Sequence, residues 1–323
     1  MNNLKISIII PMKNEEFYLP TFLNKLILLD QKPDEIIFID GGSIDQSTKI
    51  VESFYEQFKS FNVNIKLIKV KQAFPGKARN IGIRNAANDW IVLLDVGLYP
   101  KEYWLKQLWN EMHKNNSLVV FAKCRFISNT FVGRIMCAIS YGVNSNLNVL
   151  PASLIHKSLF EENGFFVENL RGGEDIIWVN NLKRSKLILT GKVLNSSIET
   201  VEYTDFNTKF NEIIEKYFLY AFCKESFQNL PITKKIVYIY LAISIYFLII
   251  DIKISFLLFV FYFIARGFLI PLFRSSKKKW WNFWSQFLLA PFYCLLIDFI
   301  SFVGFSYAKF NRLICFIKLR YLK

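Results

Sequence analysis

Glu15, Asp40 and Asp95 each stand at or shortly after the carboxyl end of a predicted β-strand. Ligands of parallel sheets bind at that edge, so three acidic side chains there are expected to share one site. Each residue also has a structural alternative: Asp40 as a turn residue, and Glu15 as a partner of a helix dipole. Three acids at a single edge favour a functional site over three separate structural roles.

Asp175 is a fourth candidate and lies in the stretch Gly172-Gly173-Glu174-Asp175. The glycines permit a turn in which backbone can approach a ligand. A carboxylate held there can take a proton from a reacting group as a general base. The alternative is an acidic residue in the first turn of a helix that continues through residues 176–179, where the dipole favours it. The residues alone leave both interpretations open.

Alternating strand and helix patterns along the first 122 residues would position these acids. Strands are predicted at about 5–10, 35–39, 65–70, 90–94 and 118–122. Helices are predicted between them, at about 14–29 with Asn14 as N-cap, 45–58, 77–87 and 101–113. This alternation predicts an α/β fold, with a mostly parallel sheet and helices on both faces.

Several other classes of protein do not fit the sequence. After the first strand the chain reads PMKNEE rather than the Gly-x-Gly-x-x-Gly of dinucleotide-binding domains, and the phosphate-binding Gly-Lys-Ser/Thr is absent. Five dispersed cysteines without Cys-x-x-Cys argue against a disulfide scaffold or a structural zinc site. With 53% hydrophobic residues, the chain is not expected to be disordered.

The last part of the chain combines positive charge with long apolar runs. The net charge is +14, and from residue 234 onward there are 13 basic residues and two acidic ones. Apolar runs cover residues 236–250, residues 254–273, broken only by Arg266, and residues 287–308, broken only by Asp298. Their lengths are close to the roughly 20 residues that a bilayer span needs. The combination predicts a membrane domain rather than a nucleic-acid-binding surface, with a large buried core as the alternative.

Basic residues give the expected orientation of the chain. Arg274 and Lys277–Lys279 follow the second run, which places this loop in the cytoplasm by the positive-inside rule. Residues 1–233 are then cytoplasmic too, and the protein is expected to be a multi-pass protein of the inner membrane. If the third run also crossed, the basic tail would lie outside, so a re-entrant or in-plane element is expected there.

Five stretches of the chain together resemble the family 2 glycosyltransferases, which have the glycosyltransferase-A fold. They are, in order, SIIIPMKNEE at 7–16, IDGGSIDQST at 39–48, GKARNIGI at 76–83, LLDVG at 93–97 and GED at 173–175. The resemblance covers roughly residues 4–200. It implies transfer of a sugar from a nucleotide-sugar, with inversion at the anomeric carbon.

The resemblance also implies roles in binding the donor. Pro11 and Glu15 would line the nucleoside pocket, Asp40 would hydrogen-bond the base, and Asp95 would contact the ribose or a metal-bound diphosphate. A fixed carboxylate is a suitable acceptor for the imide N–H of a uracil-like ring.

Lys77, Arg79 and Asp175 would serve the reaction itself. By the same resemblance Arg79, with Lys77 nearby, would face the diphosphate, and Asp175 would be the catalytic base. Positive charge is needed there because the leaving diphosphate gains negative charge. The acceptor hydroxyl must lose its proton as it attacks, so a carboxylate must stand beside it.

Two departures from the family pattern matter. The usual metal motif is Asp-x-Asp, whereas this chain has Asp95-Val96-Gly97. Asp95 with the substrate phosphates can hold magnesium or manganese, because Mg²⁺ often uses only one or two carboxylates; alternatively, metal dependence is weak and Lys77 with Arg79 carries more of the charge. The Gln-x-x-Arg-Trp motif of processive synthases is also absent, which favours transfer of a single sugar.

Residues 206–230 have apolar side chains near helical spacing. They predict an amphipathic helix that lies either in the membrane interface or against the soluble domain. The predicted domains are therefore a catalytic domain (1–205), this helix (206–233) and a membrane domain (234–323).

The expected function is that of a membrane-anchored inverting glycosyltransferase with a nucleotide-sugar donor and no nucleic-acid partner. Its acceptor would be a lipid-linked saccharide, in the synthesis of cell-surface polysaccharide or glycolipid. The missing second carboxylate supports an alternative, a catalytically degenerate membrane scaffold. A small transporter is disfavoured, because two or three spans beside a large soluble domain make a poor substrate pathway.

Overall fold

The computed structural model describes residues 4–185, 191–204, 206, 208–222, 232–277 and 279–321, with side chains described through residue 310. The chain forms two compact units. The first contains residues 1–125 and 146–205, and the second contains residues 126–145 and 206–323. The predicted domain boundaries, with a separate helix over 206–233, remain a prediction.

A sheet organises the first unit. Among the described residues it has eight strands in the spatial order β3-β2-β1-β4-β7-β6-β8-β5. The strands are β1 Leu4–Met12, β2 Pro33–Asp40, β3 Asn64–Lys69, β4 Trp90–Leu93, β5 Leu98–Pro100, β6 Val119–Phe126, β7 Ser145–His156 and β8 Val193–Tyr203. The strands β1 to β4 pair in parallel, whereas β7 pairs antiparallel to β4 and β5 antiparallel to β8. The predicted mostly parallel sheet is confirmed, with antiparallel strands added at one side.

Helices cover the sheet. In the first unit they are α1 Leu19–Ile27, α2 Ser47–Ser53, α3 Tyr55–Ser60, α4 Pro75–Asn85, α5 Trp104–Asn115, α7 Ser158–Glu162 and α8 Glu174–Arg184. The central strands are almost wholly buried because both faces of the sheet are covered, so their sequences are continuous apolar runs. Ile9, Ile37 and Leu93 pack in one cluster with Trp178 and Leu182 of α8.

The predicted start of the first helix is wrong. Asn14 is not an N-cap: it has a left-handed backbone with φ of 56°, and its side-chain oxygen accepts a hydrogen bond from the backbone N–H of Ile44. The helix begins at Leu19 instead. The polar residues that resembled a helix start are used to join two loops.

The second unit is helical. Its helices are α6 Phe131–Ser140, α9 Phe210–Phe222, α10 Ile232–Ile250, α11 Ile252–Tyr262, α12 Ile270–Arg274 and α13 Trp284–Tyr321, with a π-helical stretch at Phe263–Leu269. Within the described part of the chain, three segments are long and apolar enough to cross a membrane: Ile232–Ile250, Ile252–Arg274 and Trp284–Phe310. Each contains one of the three predicted apolar runs.

The third segment belongs to one uninterrupted helix. α13 continues through Pro291, where the chain packs so closely that a Cβ on Gly267 would collide with the proline ring. A re-entrant element would break this helix, and no break occurs in it. An in-plane position of the segment, and the side on which the tail lies, remain predictions.

Part of the predicted amphipathic helix forms α9, Phe210–Phe222. The rest of the prediction, at 223–231, lies outside the described residues. α9 packs along α13: a Cβ on Gly304 would come within 2.7 Å of the carbonyl oxygen of Phe218. Ala221 joins Tyr238 and Phe305 in a small buried cluster. Whether this helix also lies in a membrane interface stays a prediction.

A buried ion-pair network joins the three apolar segments. Asp298 on α13 is fully buried. It pairs with Lys234 Nζ at 2.8 Å and with Arg266 Nε at 2.9 Å, and it accepts a hydrogen bond from Tyr262 at 2.9 Å. The two charged residues that interrupt the predicted apolar runs are therefore partners of each other.

Candidate functional site

Two loops at the carboxyl edge of the sheet are joined by hydrogen bonds between their polar residues. The backbone N–H of Asn14 donates to Ser43 Oγ at 2.8 Å, and Asn14 Oδ1 accepts from the N–H of Ile44 at 2.9 Å. The N–H of Glu15 donates to Ser47 Oγ at 2.7 Å. Much of the motif at 7–16 and 39–48 thus builds the loops themselves.

Asp40 closes the second of these loops. It is 4% exposed, and its carboxylate accepts from both the N–H and the hydroxyl of Ser43, the latter at 2.6 Å. Gly42, with φ of 91°, lies close to the carbonyl of Lys71, where a Cβ would clash. Asp40 Oδ2 accepts only a longer bond of 3.3 Å from Ser43 among the described residues, so it retains capacity for another donor.

Strand register brings the candidate residues to one edge. Met12 pairs with Asp40, and Ile9 pairs with Leu93, which puts Asp95 level with Pro11. Asp40 and Asp95 follow strands on either side of β1, so their backbones lie about 10 Å apart, twice the strand spacing. An extended ligand can contact both.

Arg79 forms the centre of a charged cluster. Its Nη2 donates to both carboxylate oxygens of Asp95, at 2.7 and 2.9 Å. Its Nη1 donates to Glu174. Arg79 is 3% exposed and Glu174 is also 3% exposed, whereas the side chain of Asp95 is 35% exposed. Only Asp95 of this trio offers an oxygen toward solvent.

Burial and charge set the protonation of this cluster. Burial alone would lower the pKa of Arg79, but the carboxylates of Asp95 and Glu174 raise it, so the guanidinium stays charged. Burial raises the pKa of Glu174, and the nearby Asp175 and Asp95 carboxylates act in the same direction. One fixed cation therefore stands among three carboxylates.

The helix α4 explains the spacing in the GKARNIGI motif. Gly76, Arg79 and Asn80 lie on one face, at helical spacing of three and four residues. Asn80 exchanges two hydrogen bonds of 2.9 Å with the backbone of Phe166. A side chain on Gly76 would collide with the carbonyl of Val167. This face therefore holds the segment that leads into α8.

A second glycine of α4, Gly82, contacts the sheet. A Cβ there would collide with the side chain of Ile9, so glycine lets the helix lie directly on β1. Lys77 is two residues from Arg79 and therefore points about 200° around the helix from it. It is half-buried.

Asp175 lies in the first turn of α8, after Gly173 with φ of 91°. Its Oδ1 accepts from the N–H of Ile176 at 2.8 Å, and the side chain is half-buried. Its charge contributes to the raised pKa of Arg79, so it lies near the cluster. The helix-start geometry is present, and the role as a base remains a prediction.

Glu174 is the residue that the sequence analysis missed. It stands in the GED motif, but only its neighbour Asp175 received a role. The usable signal was chemical: a buried arginine needs buried carboxylates, and Glu174 is acidic and belongs to a motif. The roles expected for Pro11, Glu15 and Lys77 toward a donor remain predictions.

The side chains at this site fit a metal ion that is coordinated mostly by the phosphates of the substrate. Among the residues that the structure describes, no three His, Cys, Asp or Glu side chains are grouped as a metal site. Asp95 is partly exposed, and each carboxylate oxygen has a second lone pair beyond its bond to Arg79. The cluster sets three acidic side chains against the single guanidinium of Arg79, so an anionic diphosphate would be stabilised by a further cation here. One carboxylate plus phosphates is a common arrangement for Mg²⁺.

Comparison with solved structures defines the class of fold. The mannosyltransferase PcManGT from Pyrobaculum calidifontis, in complex with GDP-Man and Mn²⁺, matches with a TM-score of 0.55 at 13% identity. The match covers 93% of this chain and 88% of that one. The first unit has the glycosyltransferase-A type of fold.

A family model matches part of the sequence. Residues 7–162, just under half of the chain, match the family model described as "Glycosyl transferase family 2". This match includes the joined loops, α4 and Asp95, and it ends before Glu174 and Asp175.

Curated relatives share only part of their length with this chain. The poly(ribitol-phosphate) β-N-acetylglucosaminyltransferase TarS of Staphylococcus aureus is 25% identical over 181 residues, covering 53% of this chain and 31% of TarS. A poly(ribitol-phosphate) β-glucosyltransferase of Bacillus spizizenii is 26% identical over 198 residues, covering 57% of this chain and 30% of that protein. The chain thus spans about a third of the length of these relatives.

Proposed function

We propose that the protein is an inverting glycosyltransferase that moves one sugar from a nucleotide-sugar to an acceptor hydroxyl. The observation that carries this proposal is the cluster of Arg79, Asp95 and Glu174 beside Asp175, at the carboxyl edge of the sheet. Such a cluster combines a fixed cation, a partly exposed carboxylate and a candidate base, which are the groups that this reaction requires.

The donor would bind along the edge between Asp40 and Asp95. Asp40 Oδ2 would accept from the base, Pro11 and Glu15 would line the nucleoside, and Asp95 would lie at the ribose or diphosphate. The register supports this, because all four residues end or follow adjacent strands. TarS is named as an N-acetylglucosaminyltransferase, and the structural neighbour PcManGT is in complex with GDP-Man, which supports a nucleotide-sugar donor here.

In the transfer step, Asp175 would take the proton from the acceptor hydroxyl as its oxygen attacks the anomeric carbon. The new glycosidic bond forms as the bond to the diphosphate breaks, and the electron pair leaves with the diphosphate. Attack opposite the leaving group inverts the anomeric carbon. Arg79 fixes the Asp95 carboxylate through two hydrogen bonds. A divalent cation bound by Asp95 would supply positive charge to the leaving group.

The acceptor would be a lipid-linked saccharide in the synthesis of a cell-surface polymer or glycolipid. Three apolar segments long enough to span a bilayer support an enzyme held at the membrane. The relatives named as poly(ribitol-phosphate) transferases support a polymer of the cell surface. Basic residues after the second segment favour an inner-membrane protein whose catalytic unit is cytoplasmic.

Replacing the proposed base tests the mechanism. In Asp175→Asn, transfer of radiolabelled sugar from a panel of nucleotide-sugars into membrane lipid should fall by about 10²- to 10⁴-fold, because general-base catalysis is lost. Donor affinity, measured by calorimetry, should stay within about twofold of wild type. Glu162→Gln is a matched control, since Glu162 is an exposed acid at the end of α7. Full transfer by a folded Asp175→Asn protein would reject the assignment.

Two further measurements test the need for a metal and the alternative of a catalytically degenerate scaffold. The missing second carboxylate beside Asp95 is what supports the scaffold. Chelation of divalent cations should abolish transfer, and Asp95→Asn should raise the metal concentration needed for half-maximal transfer. Calorimetry with nucleoside diphosphates separates an enzyme from a scaffold. Absence of nucleotide binding by the intact protein, with and without Mn²⁺ or Mg²⁺, would favour the scaffold.

A further inference from the structure

A basic cavity of about 390 Å³ lies within the second unit. It is lined by residues of two segments, the insertion at 126–145 and the stretch between α12 and α13: Arg134, Val143, Asn144, Lys277, Lys279, Trp280, Trp281 and Asn282. This basic cavity has no role in the chemistry described above. Its volume lies in the range of about 300–1,000 Å³ that is usual for small-molecule sites.

Backbone contacts hold the two walls of the basic cavity together. The N–H of Val143 donates to Ser275 Oγ at 3.0 Å, and the N–H of Ser276 donates to the carbonyl of Val143 at 3.1 Å. Arg134 donates through Nε to the carbonyl of Trp280. Gln286 Nε2 donates to the carbonyl of Phe131 at 3.1 Å. The cavity is therefore a formed site and not a gap between independent loops.

The lining offers hydrogen-bond donors and positive charge. Arg134, Lys277 and Lys279 contribute three cations, and the described residues that line the cavity include no acidic one. The indole N–H groups of Trp280 and Trp281 are buried and have no partner among the described residues. Indole nitrogen, guanidinium and ammonium only donate. The ligand that completes this set is a multiply charged acceptor such as a phosphate or diphosphate.

Position in the chain points to a ligand carried by a lipid. The stretch that carries Lys277 to Asn282 connects the end of the segment Ile252–Arg274 to the start of the segment Trp284–Phe310. If these segments span a bilayer, the cavity lies at the membrane surface, where tryptophan is enriched. Basic pockets beside membrane helices at the cytoplasmic face bind phosphorylated lipid headgroups.

We propose that the basic cavity binds the phosphate or diphosphate group of a membrane lipid. This proposal rests on the proposed function only where it names that lipid: as the lipid carrier of the saccharide acceptor, it would be held by its phosphates at a fixed place. The same chemistry would serve a bulk anionic phospholipid. The test distinguishes these two sources.

Direct binding to the full chain in detergent tests the proposal. The probes are farnesyl diphosphate, dioleoyl phosphatidylglycerol, dioleoyl phosphatidylcholine and inorganic diphosphate, with tryptophan fluorescence and native mass spectrometry as readouts. The double variant Lys277→Gln/Lys279→Gln removes two exposed lysines without touching the contacts of Arg134. We expect it to weaken binding of the anionic lipids about 30-fold, because each basic residue near a membrane surface contributes about fivefold.

Lys253→Gln/Lys309→Gln is the matched control, since it removes the same charge from two exposed lysines outside the cavity. It should bind all probes as wild type does. Binding of farnesyl diphosphate at least tenfold tighter than phosphatidylglycerol supports the acceptor carrier, and equal binding supports a bulk anionic lipid. Equal binding of inorganic diphosphate, or equal losses in the two double variants, overturns the lipid site.

These measurements do not depend on transfer. Asp175→Asn should bind farnesyl diphosphate as wild type does, so loss of activity and loss of lipid binding are separate results. If transfer is detected, Lys277→Gln/Lys279→Gln should raise the KM for the lipid acceptor and leave the KM for the nucleotide-sugar unchanged. An inactive protein that still binds lipid in the basic cavity would reject the proposed function alone.

Discussion

Arg79 holds together groups that come from three distant parts of the chain. Asp95 follows β4, and Glu174 begins α8, yet both carboxylates bond the same guanidinium. Because Arg79 and Glu174 are buried, either one left alone would be a costly unpaired charge. The arginine of the GKARNIGI motif therefore fixes the position of Asp95 as well as contributing charge.

Glu174→Gln tests this positioning role. The neutral amide still accepts a hydrogen bond from Arg79, but one of the two carboxylates that pair with Arg79 is lost. We therefore expect the protein to lose about 2 kcal/mol of stability, which is typical for a charged hydrogen bond. Thermal unfolding of the detergent-solubilised protein checks this, with Glu168→Gln as a control in a more exposed ion pair. An unchanged unfolding temperature would mean that Asp95 alone satisfies Arg79.

The sequence named candidate site residues but could not give the contacts between them. Arg79 and Asp95 were both candidates, and the structure pairs them. That Glu15, Asp40 and Asp95 share one site stays a prediction. In contrast, Asn14, Ser43 and Ser47 belong to the stretches that carry the family resemblance, but they join two loops: the N–H of Asn14 donates to Ser43, and the N–H of Glu15 donates to Ser47. Which polar groups pair with each other depends on loop conformations that spacing along the chain does not determine.

At the scale of elements, α4 joins the sheet to the start of α8. Gly82 brings it against β1, and Gly76 with Asn80 holds the backbone at residues 166–167. The distance between the Asp40–Asp95 edge and Asp175 therefore depends on this one helix. Substitution of Asn80 should therefore affect catalysis without removing a charged side chain.

Asn80→Ala is the sharpest test of α4. It removes both hydrogen bonds to Phe166 and leaves a buried N–H and carbonyl without partners, at a cost of about 1–3 kcal/mol each. We expect kcat to fall at least tenfold while nucleotide affinity changes little, because the donor edge stays in place. Asn85→Ala is the control, since the Asn85 side chain donates to the carbonyl of Ile81 in its own helix. Equal kcat values in the two variants would contradict the role of α4.

Regular apolar patterns predicted the parallel part of the sheet well. The strands β1 to β4 and the helix α4 lie within a few residues of their predicted positions. β7 and β8 were not predicted, because they carry polar residues such as Asn148 and Ser196 that bond across the sheet. β5 has only three residues, too few to give a pattern.

On the scale of the whole molecule, Asp298 connects all three apolar segments through Lys234, Arg266 and Tyr262. The sequence predicted the segments and located Arg266 and Asp298 as interruptions. It did not predict that they pair, since they are far apart in the chain and either could have faced solvent. Charged residues within such segments are expensive in lipid unless they find partners inside the protein.

Asp298→Asn should destabilise the second unit. It leaves Lys234 and Arg266 without their shared counter-charge, and breaking a buried ion pair in this way costs about 3–5 kcal/mol. We expect a lower unfolding temperature in detergent and reduced yield of monodisperse protein. Asp251→Asn is the matched control, because Asp251 caps α11 at the turn between two segments. Equal stability of the two variants would show that the network contributes nothing.

One helix of the second unit, α6, lies in residues 126–145, between two parts of the first unit in the sequence. α6 packs against α12 and α13, and its residues Ile135 and Ile139 are buried. A fragment that ends at residue 205 would therefore keep α6 but lose α12 and α13. The apolar face of α6 would then be exposed and prone to aggregation. The segment at 126–145 can be deleted, however, because its two ends already lie together: the N–H of Asn144 donates to the carbonyl of Phe126 at 2.8 Å. A water-soluble catalytic fragment needs this internal deletion, closed by a short turn, in addition to the C-terminal one.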